Sequence, residues 1–462
     1  MHHATRLATV SFTALALFAT ACGGGDTSPS NEATGSSGAT IQVPEDQPTI
    51  QAAVDAAESG DLILIAPGTY AESVDVETEN LTIRGLDRNE VILDGGFKLE
   101  NGIRVFADGV AIENMTVQNY TTNGFFWTGV TGYRGSYLTS YRNGDYGVYG
   151  FDATEGQLEH IWASGSADAG VYIGQCYPCD TVLDDIVSEY NGLGYSGTNS
   201  GGDLLIINST FRHNRAGIVP NSGSYELCYP GRDNTIVGNT VYSNQQADTP
   251  AIDVALLAMG NGILVAGSNR NLVARNLVYD HDRGGIALVP FPEEGANDVA
   301  PAESTWNTPC AEVRDLPPTV TDPALLAAVL WDPQQNRIVD NVVSDSRIAD
   351  LGLGSLQPDL AALGNCFSGN TITSSAPMNL QKLAPCEGEP SATDWSAGGL
   401  DLIALITAVH PPSIDYEIAP TPKPPIQPNM PDAATAPAQP ATNVPYAVDL
   451  DAIKVPERPS SE

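Results

Sequence analysis

Two acidic residues 23 positions apart, Asp145 and Asp168, are the first candidates for chemistry in this 462-residue chain. Each lies two positions before a glycine, Gly147 or Gly170, and the same beat continues through Gly124, Gly194 and Gly217 at intervals of 23 or 24 residues. Carboxylates brought side by side can raise one pKa for acid–base work or hold Ca²⁺. Arg215 stands at the same place before Gly217, a cation within the same row. Two positions after each glycine the chain reads Phe126, Tyr149, Tyr172, Ser196 and Val219. Three stacked aromatics would make a platform for sugar rings, whose C–H-rich faces suit π faces. Five positions after the glycine come Asp152, Gln175 and Asn199, and Asn221 lies beside the next member of that row. These polar groups could orient hydroxyls. The competing reading is that Asp and Asn only cap backbone N–H groups in turns and that the aromatics pack under a neighbouring loop.

Such rows exist only if successive repeats stack. A period of 20 to 25 residues in β-branched, turn-punctuated sequence predicts a solenoid. Each repeat holds about three short strands that cannot bury their apolar sides alone, and stacking pairs them at ~4.8 Å. A second ladder supports this: Asn208 and Asn276 each precede a glycine by nine residues, and the same short pattern recurs at Asn114, Asn239, Asn341 and Asn370. Stacked Asn amides can hydrogen-bond along such a ladder. Together these features resemble an all-β, right-handed parallel β-helix of the pectate-lyase-like superfamily, over roughly residues 45 to 390.

The opening adds to the resemblance. Ile50, Ala53, Val54 and Ala57 predict a short helix that ends near Gly60 and caps the first coil. Gly68-Thr-Tyr-Ala-Glu72 is similar to the opening of pectin methylesterases, although their Gln-Asp and Asp-Phe catalytic pairs do not follow. Tyr149-Gly-Phe-Asp152 matches the strand and first Asp of alginate C5-epimerases without the Pro, His and second Asp of their site. In pectate lyases an arginine serves as base, which the resemblance would place on Arg215, where it could also meet a uronate. The block from Ala163 to Asn221, with Cys176-Tyr-Pro-Cys179, resembles a family of exported bacterial β-helix proteins. Asp280-His281-Asp282 falls in a repeated turn and reads as structural.

Composition sets the compartment and excludes partners. The formal charge of −36, from 56 acidic and 20 basic residues, excludes nucleic acid and disfavours a polyanionic glycan unless arginines cluster or Ca²⁺ bridges. Residues 1–21 read as a lipoprotein signal peptide with Cys22 as the lipidation site, and 22–40 as a flexible Gly/Ser linker. The β-helix is expected over 41–395, with a helical insertion near 322–331. A capping helix is expected at 396–410 and a mostly disordered Pro-rich tail at 411–462. Without Cys22 six cysteines remain, Cys176, Cys179, Cys228, Cys310, Cys366 and Cys386. In an exported protein they predict disulfides, with Cys366–Cys386 the preferred pair. The chain is thus expected to be an exported, lipid-anchored monomer, held at the membrane only by its N-terminal lipid. It is expected to bind, and to cleave or modify, an extracellular polysaccharide by lyase, hydrolase or epimerase-like chemistry. No cofactor or metal is assigned, with Ca²⁺ the open alternative; the rival function is a non-catalytic surface or scaffold protein.

Overall fold

The computed structural model describes residues 38–293, 319–320 and 329–460. Strands stack in parallel register into sheets of 11 and 18 strands, which makes the chain a right-handed parallel β-helix. Five strands of the 11-stranded sheet matter most: β1 (Asn123–Thr128), β2 (Tyr146–Phe151), β3 (Ala169–Gly174), β4 (Leu193–Thr198) and β5 (Ala216–Asn221). The core runs through the middle of the stack as a column of Val, Ile, Leu and Phe, among them Ile103, Phe125, Val148, Val171 and Ile218.

Close approach explains the glycine beat. A Cβ at Gly124 would lie 2.5 Å from the Gly147 carbonyl oxygen, and one at Gly147 would lie 2.5 Å from that of Gly170. Only a hydrogen fits there. The Asn ladder forms as well: Asn239, Asn276 and Asn341 each donate their backbone N–H to the Oδ1 of the next Asn at 2.9–3.0 Å. Asn208 is not a member; Ser209 occupies that position, donating to Asn239 at 3.0 Å, while Asn208 takes the left-handed turn beside it. A parallel ladder of Asn191, Asn214 and Asn244 ends on His281, which burial pushes down to about 3, so the imidazole stays neutral.

Helix α1 (Ile50–Ala56) buries Ile50, Ala53 and Val54 against the first strands. Glu72 of the Gly-Thr-Tyr-x-Glu turn caps it, accepting from Ile50 N at 3.2 Å and Gln51 N at 3.1 Å. The far end differs from expectation. The last coil is covered by the short helix Leu380–Leu383, whose Gln381 accepts from Asn370 N at 2.9 Å and so terminates the ladder. Within 396–410 the helix is only Leu402–Ile406, and its leucines line a cavity beside the 11-stranded sheet instead of covering the last coil. Helix α2 (Asp253–Ala258) also lines that cavity, and we label Leu402–Ile406 α3. Val329–Trp331, assigned to a helix by its sequence, is a strand antiparallel to Phe291–Glu293. The rest of that predicted helix, the signal segment, Cys22 and Cys310 lie outside the described residues.

The Pro-rich tail departs most from expectation. It runs along the outside of the solenoid from Pro411, bound to Arg215, to Pro437, bound to Arg84, and returns to Leu450 and Ile453, bound to Arg275. Pro denies the tail regular backbone pairing, so its carbonyls stay open as acceptors for arginines projecting from the coils. Arg84 donates to Ala436 O at 2.7 Å and pairs with Glu113 at 2.6 Å, both side chains fully buried.

Candidate functional site

Register puts the expected aromatic row in place. Phe126 pairs with Tyr149, Tyr149 with Tyr172, Tyr172 with Ser196, and Ser196 with Val219 across β1–β5. The Phe126 and Tyr149 rings stack at 4.6 Å with 12° between planes. Tyr146, which sequence reasoning did not single out, stacks on Tyr149 at 4.3 Å and lies 4.9 Å from Tyr172. Phe126, Tyr146 and Tyr149 are half-buried, open enough to touch a ligand. Tyr172 is 2% exposed. It lies under the loop 222–231 that follows β5, as the competing reading had it.

That loop supplies a carboxylate missed in the sequence. Tyr172 Oη donates to Glu226 Oε1 at 2.6 Å. Burial pushes the Glu226 carboxyl up to about 8; the Tyr172 hydrogen bond opposes the shift and the charge of Asp168 adds to it. Glu226 Oε2 is buried with no hydrogen-bond partner among the described residues, although the rest of the side chain is partly open to solvent. Asp168 is pushed up to about 7, again by burial first, opposed by a hydrogen bond from Tyr146 and reinforced by Asp145. Asp145 sits one coil back, its carbonyl accepting from Asp168 N at 3.0 Å, and burial raises its carboxyl too. The expected pair is therefore a cluster of three. Burial drives the Tyr146, Tyr149 and Tyr172 hydroxyls well above their ordinary value, with the neighbouring carboxylates adding to it. They remain O–H donors at neutral pH and cannot serve as bases.

The polar row has a different task from the one expected. Asp152, Gln175 and Asn199 adopt φ of 52°, 50° and 47°, and their N–H groups bond to the next coil at 3.0–3.1 Å. Gln175 Oε1 accepts from Leu227 N at 2.9 Å. Asn199 donates to the Gly223 and Glu226 carbonyls at 2.5 and 3.0 Å. Gln175 and Asn199 thus hold the loop. Asn221 is 1% exposed, with its Oδ1 buried. Glu293 fixes the loop from the other side, accepting from Ser224 Oγ at 2.7 Å and Trp331 Nε1 at 2.6 Å. Cys176–Cys179 closes the turn after Gln175, and Cys366–Cys386 forms as the sequence predicts. Cys228, within the loop, is also disulfide-bonded.

Arg215 does not join the carboxylates. It is fully buried and donates to the carbonyls of Ala247, Thr249, Pro411 and Pro412 at 2.8–2.9 Å. With its donors taken by carbonyls it serves as a structural clamp on the tail, available neither as base nor as uronate partner. Sequence alignment placed it in the right row; the inserted segment at 245–260, which breaks the period, takes its side chain away from the surface.

No protein-family model matches the chain, and no curated protein matches it. Solved structures share the fold at low identity. The A-module of the mannuronan C-5 epimerase AlgE4 from Azotobacter vinelandii is 15% identical over 71% of this chain and 91% of its own, with a TM-score of 0.40. The pectate lyase Pel9A is 12% identical over 74% and 76%, with a TM-score of 0.39. The Dettilon tailspike protein is 14% identical over 73% and 67%, with a TM-score of 0.36. The chain is similar to each of these in being a parallel β-helix.

Proposed function

We propose that the outer face of β1 and β2, beside the loop 222–231, binds an extended polysaccharide and that Asp168 and Glu226 exchange protons with it. The observation that carries the reading is the meeting of two raised carboxyl groups, about 7 and about 8, beside the stacked rings of Phe126 and Tyr149. Carbohydrate sites combine apolar contact with a few polar groups, and coils ~4.8 Å apart match sugar units of similar length. Near neutral pH Glu226 keeps its proton and acts as the acid toward a leaving oxygen. Asp168, ionised, takes a proton from water or from the sugar. The charge of Asp168 raises Glu226 and that of Asp145 raises Asp168, which opposes ionisation of the pair together. The net charge of −36, with Arg215 engaged by the tail and Arg104 paired with Asp75 at 3.0 Å, favours a neutral glycan over a polyuronate.

The disulfides favour export, since such bonds persist in oxidising compartments. We propose in addition that Cys22 carries a lipid and that the chain works as a monomer. A non-catalytic scaffold is the second reading, favoured by the use of Tyr172, Gln175, Asn199 and Arg215 within the fold. A glycan array combined with reducing-end and unsaturated-product assays decides between them. Turnover that vanishes in Glu226→Gln, with binding retained, supports the enzyme. Failure of the wild type to bind or alter any glycan leaves the scaffold.

A further inference from the structure

Two strands beyond Tyr172, the same outward row turns apolar. Val219, Leu264 and Ala287 form one wall of a cavity whose other walls are α2 and α3, the latter through Leu402 and Leu405. The cavity holds about 80 Å³. That is roughly half the ~150 Å³ apolar void that takes up benzene, so it suits a few methylene groups and no large ring or helix. The apolar surface continues outside it: Leu257 and Ile348, which line the cavity, are 36% and 41% exposed, and Ile403 of α3 is 39% exposed.

Charge gives the occupant a direction. Arg283 lines the same cavity, donates to Leu257 O at 3.1 Å, and has no carboxylate partner among the described residues. Burial and the nearby Arg347 both lower its pKa. His410 lies within reach of the Arg283 charge, and its Nε2 is buried without a hydrogen-bond partner among the described residues. In a chain of net charge −36, Arg84, Arg104, Arg134, Arg212 and Arg270 all pair with carboxylates, as does Arg347 with Asp282 at 4.0 Å; Arg283, at the wall of an apolar cavity and without such a partner, invites an anion.

We propose that this cavity binds an anionic single-chain amphiphile, its acyl end between the sheet and α3 and its head group at Arg283. The site is separate from the carboxylate cluster and does not depend on it.

Calorimetry with decanoate on the full-length protein, beside decanol and decyltrimethylammonium, tests this. Decanoate should bind at one site and the cationic analogue should not. Arg283→Gln should weaken decanoate about tenfold or more, as expected for a charged hydrogen bond, and leave decanol unchanged. Ala287→Leu should fill the cavity and weaken both decanoate and decanol. Should that variant fold poorly, Leu257→Cys provides a second readout, because decanoate should slow its reaction with a maleimide. Absence of decanoate binding, equal binding of the cationic analogue, or affinity indifferent to both Arg283→Gln and Ala287→Leu would overturn the proposal.

Discussion

Tyr172 and Glu226, 54 residues apart in sequence, are joined by a 2.6 Å hydrogen bond that seats the loop 222–231 on the outer sheet and brings its carboxyl to Asp168. The candidate site is thus made of two parts, a regular row of strand residues and one irregular loop. Each part gives separate predictions.

Glu226→Gln and Asp168→Asn should each lower turnover by ~10²–10⁴-fold, the range for loss of a general acid or base. Their melting temperatures should hold or rise above neutral pH, because a buried ionised carboxyl is removed. Kinetics on the glycan found by the array, with paired thermal melts, checks both. Turnover that survives in both variants would remove the catalytic assignment.

Stability should fall as pH rises. Asp168 and Glu226 have folded pKa values of about 7 and about 8, above the ordinary carboxylate values near 4. The folded state therefore binds more protons at these two groups than the unfolded one between those limits, and the stability they contribute is fully present below about pH 4 and is lost as pH passes 8. Each unit of difference is worth ~1.4 kcal/mol, with the two sites titrating as a coupled pair. Melting curves from about pH 4.5 to 8.5 should slope downward, and the slope should shrink by roughly half in Asp168→Asn.

Phe126→Ala and Tyr149→Ala should weaken glycan binding by ~1–3 kcal/mol with little effect on folding. Tyr172→Ala should behave differently, because Tyr172 is buried beneath the loop. It should lower the melting temperature and make 222–231 sensitive to protease. Glycan affinity, melting temperature and limited proteolysis measured on the three variants separate the two classes.

Arg215→Ala should destabilise the chain by about 2–4 kcal/mol, leaving several buried carbonyls without donors. The tail should become the first site of tryptic or subtilisin cleavage. A variant with unchanged melting and proteolysis would show that the clamp is dispensable.

Cys22→Ala should release the protein from membranes into the soluble fraction and abolish incorporation of labelled fatty acid. Unchanged membrane retention would remove the lipid anchor.

The repeating part of this molecule was legible because stacking imposes a sequence cost at every coil. A Cβ at Gly147 would lie 2.5 Å from the Gly170 carbonyl oxygen and one at Gly170 would lie 2.1 Å from Ser188 Oγ, and Phe126, Tyr149 and Tyr172 align by register alone. Where the period broke, inference failed. Glu226 lies in a loop with no counterpart in neighbouring coils, and the adjoining Gln175 and Asn199 looked like ligand groups because their loop partners were unknown. Asn208 was one position out of register with the ladder that Ser209 joins. The tail was misread for a different reason. Its composition lacks the apolar content to build a core of its own, yet its acceptors are satisfied by Arg84, Arg142 and Arg275, residues 175 or more positions away.

That tail changes how the molecule should come apart. In a solenoid each repeat touches only its neighbours, so thermal fraying begins at an end and unzips coil by coil. Here one segment ties Arg84, near the start, to Arg275, near the finish. Loss of an end coil must also detach the strap that spans the others. A repeat array with local, graded melting is thereby given the all-or-none unfolding of a closed ring.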